Sequence, residues 1–321
     1  VRRRTIPARA VLALCGLALL SACMATTPTL KPQSRPAGLV KPQAQPPVAS
    51  GPSQRSQALQ TYYARVQADL LAQGLMRTDG GGPDTRFDTD DLVRNFEAIA
   101  FHDEHARGSL SRASGIAGAL HRWIGPVRMR ADFGPSVPQA KREKDSATIS
   151  SYAARLARVT GHPIGITRSA SANFHVLVAS YDDTDYVLNR VRQIAPNISS
   201  SALSVFRDLP RPIHCLVLAF PSERDDNAYQ LAIALIRSEH PDMMRVACVH
   251  EELAQGLGLA NDSPQARPSI FNDDDEFAFL TTHDEMLLKM LYDRRLQPGM
   301  RFETARPIIQ QIAAELTGNN S

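Results

Sequence analysis

Glu251-Glu252-Leu253-Ala254-Gln255-Gly256-Leu257-Gly258-Leu259-Ala260-Asn261-Asp262 is the stretch on which the fold turns. On a helix with Glu251 at the origin, Val246, Val249, Leu253 and Leu257 fall between about 160° and 240° and form one apolar stripe. Gln255 falls near 40° and Glu252 near 100°, so Glu251, Glu252 and Gln255 share the opposite face. Gly258 then permits a turn, and Asn261 brings a further polar side chain after it. The spacing predicts a helix over 242–259, entered from Pro241, which suits a first helical turn. His250 lies beside the apolar stripe, with Ala254 rather than a second histidine four residues on. A structural or capping role therefore fits His250 better than a ligand role.

Upstream, apolar positions at helical spacing predict helices over 59–75, 111–123 and 145–160, the last carrying Ile149, Tyr152, Ala153, Leu156 and Val159. Residues 92–101 have a mixed period that fits a strand or a helix. Alternation predicts a strand over 126–133, followed by the Gly134-Pro135 turn, with further strands over 173–179 and 213–220. Short helices are expected over 188–194 and 202–207, and residues 227–238 read as helical. Helix, strand, helix, strand and strand before the long polar-faced helix predict a mixed α/β (α+β) layer architecture. Gly80-Gly81-Gly82-Pro83 lacks the Lys-Ser/Thr of a phosphate loop and reads as a flexible turn. Serine and cysteine nucleophile arrangements find no local signature.

The 251–262 stretch resembles the metzincin zinc helix H-E-x-x-H-x-x-G-x-x-H. Glu251, Gln255 and Asn261 stand at the three ligand positions, and Glu252 and Gly258 stand at the general base and the turn. Ser269-Ile270-Phe271-Asn272 then resembles the metzincin turn, with Phe271 in place of its methionine. Met286 to Tyr292 is similar to the final helix of small metzincins. Thr282 and Glu285 have capping-box spacing, which makes His283 a first-turn surface residue. The resemblance implies a metzincin-like mixed sheet with C-terminal helices. Its ligand chemistry implies a degenerate site, because zinc prefers imidazole, thiolate and carboxylate over neutral amides. Calcium accepts amide and carboxylate oxygens but needs six or more. Asp262 and the run Asp273-Asp274-Asp275-Glu276 offer some, although such a run also reads as a solvated loop. Without a metal to acidify water, Glu252 has nothing obvious to activate.

The beginning of the sequence has a different character. Arg2, Arg3, Arg4 and Arg9 precede an apolar run from Ala10 to Leu20, too short to span a membrane. Leu20-Ser21-Ala22-Cys23 resembles the bacterial lipobox, which implies cleavage after residue 22 and lipidation of Cys23; an ordinary signal peptide is the alternative. Met24 after the cysteine implies the outer membrane, facing the periplasm. Residues 23–60 are rich in Pro, Gln, Ala and Ser and read as an extended tether, leaving one globular domain over 61–321. Eight of the 36 basic residues and none of the 33 acidic ones precede residue 61, so the globular part carries 28 basic against 33 acidic side chains, net −5. Nothing there asks for nucleic acid, which needs a clustered basic face. Cys215 and Cys248 are the only cysteines beyond the tether. In an oxidising compartment they are either a disulfide or two buried thiols.

A second resemblance covers more of the chain. The run Ala247 to Pro264, the segment Pro268 to Asp274, Arg94 to Ala100 and Gly161-His162-Pro163-Ile164 look like the signature of an uncharacterised bacterial lipoprotein family, domain of unknown function 2927. It implies that Glu251, Gln255 and Asn261 belong to the family pattern. The resulting expectation is a lipid-anchored envelope protein whose degenerate domain binds or scaffolds a protein or peptide partner. It would need no cofactor beyond the lipid on Cys23. The alternative is an active hydrolase using Glu252 with a non-standard metal site.

Overall fold

The computed structural model describes residues 51–102, 117–272 and 274–318. Cys23, the expected signal segment and most of the expected tether lie outside these residues, as does Asp273. Helix α1 (Gln54–Ala72) starts inside the expected tether, because Ser53 caps it by accepting the Ser56 N–H. Leu59 and Tyr63, one turn apart, pack with Met76, Met244 and Ala278 in a satellite core. Helical structure is therefore present before residue 61.

Helix α2 (Thr89–Ala100) resolves the ambiguous segment: Asp88 and Asp91 form a reciprocal capping box, and Leu92, Phe96 and Ile99 are buried. Strand β1 (Arg122–Trp123) corrects the expected helix over 111–123, of which residues 111–116 lie outside the described ones. Parallel pairing of Arg122 and Trp123 with Ala228 and Tyr229 keeps the backbone extended here, and the two side chains are anchored as well. The Arg122 guanidinium donates to the carbonyls of Leu291 (2.6 Å) and Leu296 (2.7 Å), and the Trp123 indole donates to Gly256 O (2.8 Å).

Strand β2 (Val127–Phe133), helix α3 (Gln139–Thr160), strand β3 (Ile164–Ile166) and strand β4 (Phe174–Ala179) follow. Gly161 ends α3 in the left-handed region at φ 64°, the usual glycine stop. Helices α4 (Thr184–Ile194) and α5 (Ser200–Arg207) precede strands β5 (Cys215–Pro221) and β6 (Ala228–Arg237). Then come α6 (Asp242–Gln255), α7 (Thr282–Leu291) and α8 (Phe302–Thr317).

The sheet runs β1-β6-β4-β2-β3 in parallel, with β5 antiparallel to β6. The helix expected over 227–238 is thus strand β6. It pairs with β4 and β5, and both its faces are covered, so it lacks the apolar-polar alternation that marks a half-exposed strand. Phe174, Val176, Val178, Ala232, Ala234 and Ile236 face the main core with α2, α3, α6, α7 and α8. Leu177, Ala179, Ile233 and Leu235 face α4 and α5. The result is a mixed α/β sheet with helices on both faces. Among the described residues no helix is long and apolar enough to cross a membrane.

Candidate functional site

Helix α6 leaves the central strand β6 through Ser238-Glu239-His240-Pro241 and runs against α3 and the sheet. Its apolar stripe behaves as the wheel requires: Val249, Leu253 and Leu257 are buried in the main core. The opposite face is not open either. Glu252 (3% exposed) and Gln255 (8%) are both buried, and Glu251 is half-buried. The polar residues therefore look into the protein, which is what a site requires and a solvated helix face does not.

Cys215 at the start of β5 and Cys248 in α6 form a disulfide, with their Cα atoms 5.9 Å apart. It closes a 33-residue separation, which on the chain-entropy model contributes about 3–4 kcal/mol. The bond also pins the helix one turn before Glu252 to the antiparallel strand. Glu251 Oε2 lies 4.0 Å from Cys215 Sγ. Ligand atoms of Cys215, Glu251 and Glu252 all lie within 4.8 Å of one another, the one such group among the described residues. This sulfur is spent in the disulfide, however, and metals bind the thiolate.

The expected ligand positions divide. Glu251 and Gln255 stay on α6 beside Glu252. Asn261 binds the end of another helix instead. Its Nδ2 donates to Ala98 O (2.8 Å) and its backbone N–H to Ile99 O (3.2 Å), which satisfies carbonyls at the end of α2. Gly258 makes that turn at φ 127°, and a Cβ there would meet the His121 carbonyl oxygen at 2.3 Å, so both backbone angle and space require glycine. Tested for zinc, the donor set does not fit. It offers two adjacent carboxylates, one neutral amide, a second amide bound to a helix end, and a disulfide sulfur.

His250 is structural. Its Nδ1 accepts the Leu280 N–H (3.0 Å), and its ring stacks on Tyr152 at 4.0 Å and 6°, while the Tyr152 hydroxyl donates to His250 O (2.7 Å). Burial, with Arg155 adding to it, pushes the imidazole down to about 3, so it stays neutral.

The turn after the site is held by Asp284. It accepts from Ser269 Oγ (2.6 Å), the Ile270 N–H (3.1 Å), and the Thr281 N–H (3.0 Å) and hydroxyl (2.8 Å). Phe271 is fully buried at the position where the metzincin comparison has methionine. The cap of α7 is Thr281 with Asp284, one residue earlier than Thr282 with Glu285. That shift corrects the surface placement of His283. The ring is fully buried, with Nε2 3.1 Å from Asn95 Nδ2 and Phe87 against its edge. Glu285 instead pairs with Arg155 at 2.9 Å.

Two features beneath α6 escape a residue-by-residue reading. Arg245 and Asp145 form a fully buried ion pair between α6 and α3, and His240 Nδ1 lies 3.7 Å from Cys248 Sγ. The first leaves a faint signal, since Arg245 sits near about 120° on the wheel, at the margin of the apolar stripe. The second leaves none, because His240 lies outside the helix.

A family model described as a protein of unknown function (DUF2927) matches residues 89–311, from α2 into α8. No curated protein and no solved structure matches the chain.

Proposed function

Since the chain belongs to the DUF2927 family of unknown function, we propose a reading from its own residues. It is a lipid-anchored protein of the bacterial cell envelope whose metzincin-like domain has a catalytically degenerate site and works by binding or scaffolding. The observation that carries the degenerate half is Asn261. The residue at the third ligand position gives its amide to Ala98 O, and the nearby sulfur is locked to Cys248. Two carboxylates and an amide on one helix remain, and they form a weak zinc site.

Supporting the metzincin-like half, β2, α3, β3, β4, α4, α5, β5 and β6 lead in order into the polar-faced helix, with the Gly258 turn and a buried Phe271 turn behind it. Supporting the envelope half, the lipobox-like Leu20-Ser21-Ala22-Cys23 stands in the sequence and the Cys215–Cys248 disulfide suits an oxidising compartment. The anchor would then be the lipid on Cys23, with the domain facing the periplasm from the outer membrane, and the partner an envelope protein or peptide.

The rival reading is a hydrolase using Glu252 with a non-standard metal. It rests on the 4.8 Å grouping of Glu251, Glu252 and Cys215 Sγ. Metal analysis of the purified chain, with proteolysis assays of wild type and Glu252→Gln, separates the two. The degenerate reading expects substoichiometric zinc and no Glu252-dependent cleavage. A stoichiometric ion together with cleavage that disappears in Glu252→Gln would overturn it. The anchor is checked separately: Cys23→Ser is expected to move the protein from the membrane fraction to the soluble fraction and to abolish incorporation of labelled palmitate. Unchanged fractionation and labelling would sink the lipidation.

A further inference from the structure

A cleft of about 480 Å³ opens on the α4/α5 side of the sheet, between α1 and the end of β6. Leu59, Val187, Phe206 and Leu235 give it apolar walls. Arg55, Arg207 and Arg211 stand exposed at its mouth, with Asp208 as the one acidic side chain among them. Arg55 lies over the Tyr181 ring and Arg211 over the Tyr62 ring, at 4.2 and 5.2 Å from the centroids. Arg207 has no ion-pair partner among the described residues. Such a group of guanidinium forks suits a planar anion, and a carboxylate matches the fork best.

The inner end of the cleft is lined by Arg237 and Glu239. Glu239 is 3% exposed, and its Oε1 accepts from Ser56 Oγ (2.9 Å) and from the Tyr181 N–H (2.6 Å). Its Oε2 has no hydrogen-bond partner among the described residues. The Arg237 Nη2 donates to the carbonyls of Leu209 (2.6 Å) and Pro210 (3.0 Å), while its Nε–H is likewise unpartnered among the described residues. Burial raises the Glu239 carboxyl and lowers the Arg237 guanidinium from their ordinary ranges, and among the described residues no ion pair joins the two. Buried polar atoms are nearly always satisfied, so a donor and an acceptor left unmade at one end of a cleft mark a place for a ligand. An amide is the group that offers one acceptor and one donor side by side.

We propose that this cleft binds a small carboxylate that also carries an amide, the chemistry shared by a short peptide and an N-acylated amino acid. Arg237 Nε and Glu239 Oε2 are closed to solvent, so binding requires these two side chains to turn toward the cleft. The amide carbonyl then accepts from Arg237 Nε–H, the amide N–H donates to Glu239, an apolar side chain lies on the leucine and phenylalanine walls, and the carboxylate meets the arginines. The cleft shares no residue with the Glu251 and Glu252 site, so the two readings stand or fall separately.

Titration calorimetry on the full chain in mild detergent tests it with four probes: acetyl-leucine, alanyl-leucine, acetyl-leucinamide and 4-methylpentanoate. Acetyl-leucine or alanyl-leucine is expected to bind, and whichever is tighter identifies the source. Acetyl-leucinamide, which lacks the carboxylate, and 4-methylpentanoate, which lacks the amide, are each expected to bind at least about tenfold more weakly. Arg207→Ala, at an exposed position, is expected to weaken binding about threefold or more and to narrow the gap between acetyl-leucine and its amide. Glu239→Gln is expected to weaken it about tenfold, with a melting curve to show that the fold is kept. Equal affinity for acetyl-leucine and acetyl-leucinamide overturns the arginine half, and equal affinity for 4-methylpentanoate overturns the amide half. No heat from any probe at about 10 mM overturns the site as a whole.

Discussion

Arg245→Leu is expected to lower the unfolding free energy by about 3–5 kcal/mol, the largest effect of any single substitution near the site. Arg245 is 1% exposed, and each of its bonding groups is matched. Its Nε donates to both oxygens of Asp145 (2.8 and 2.9 Å), Nη1 to His240 O (2.8 Å) and Nη2 to Asp242 Oδ1 (2.8 Å). Burial pushes the Asp145 carboxyl above its usual range despite the guanidinium beside it, which shows how strongly desolvation acts here. Removing the arginine leaves that carboxylate buried with only the more distant Lys141 as counter-charge, and the loss is mainly this penalty and not the net worth of the pair. The double variant Arg245→Leu/Asp145→Leu is therefore expected to recover most of the stability lost by the single one. Urea unfolding of wild type, both singles and the double forms the cycle. A single-variant loss below about 1 kcal/mol would show that the pair does not anchor α6 to α3.

The same pair shows where sequence reading stops. Periodicity locates α6 because its apolar stripe, polar face, Pro241 entry and Gly258 exit agree with one another. It locates β2, β4 and β5 for the same reason, since local pattern and tertiary environment coincide there. It misses β6 because Ala228 to Arg237 is covered on both faces, and an apolar run rich in alanine and leucine carries the same composition as a buried helix. It misses β1 because the strand exists through parallel pairing of Arg122 and Trp123 with Ala228 and Tyr229 of β6, partners more than 100 residues away. The misplacement of His283 comes from a one-residue shift of the cap. Thr281 and Thr282 both precede acidic residues at capping distance, and the choice is made by Asp284 also holding Ser269 and Ile270. At the site, the residues that share a helix face are legible. The fate of Asn261 is not, because it depends on where the end of α2 lies.

Acid is expected to destabilise the protein well above the carboxylate range, because His250 and His240 are both buried and both held neutral. The folded value of His250 is pushed down to about 3 against an ordinary 6.5. Below 6.5 the unfolded chain takes up a proton that the folded chain refuses, so stability falls as pH falls, until the folded imidazole itself ionises near 3. Between about pH 6.5 and 4.5 this one group removes about 2–3 kcal/mol. His240, His214 and His162, all lowered first by burial, act in the same direction. Asp242, held down to about 2 by Lys144 and Arg245, loses its contribution only below its unfolded value of 3.8, outside this window. Glu239, whose carboxyl is raised by burial, works against the trend toward the acid end. Unfolding free energies of wild type and His250→Gln at about pH 7 and pH 4.5 isolate the contribution of this ring. The variant is expected to be weaker at neutral pH, because it loses the stack on Tyr152, and to lose about 2 kcal/mol less on acidification. Equal losses in the two proteins would mean that His250 is protonated in the folded state. A ring that stays neutral, with Nδ1 accepting the Leu280 N–H, has its place in the packing of α6 against α3, and this separates His250 from the carboxylates that follow it on the same helix.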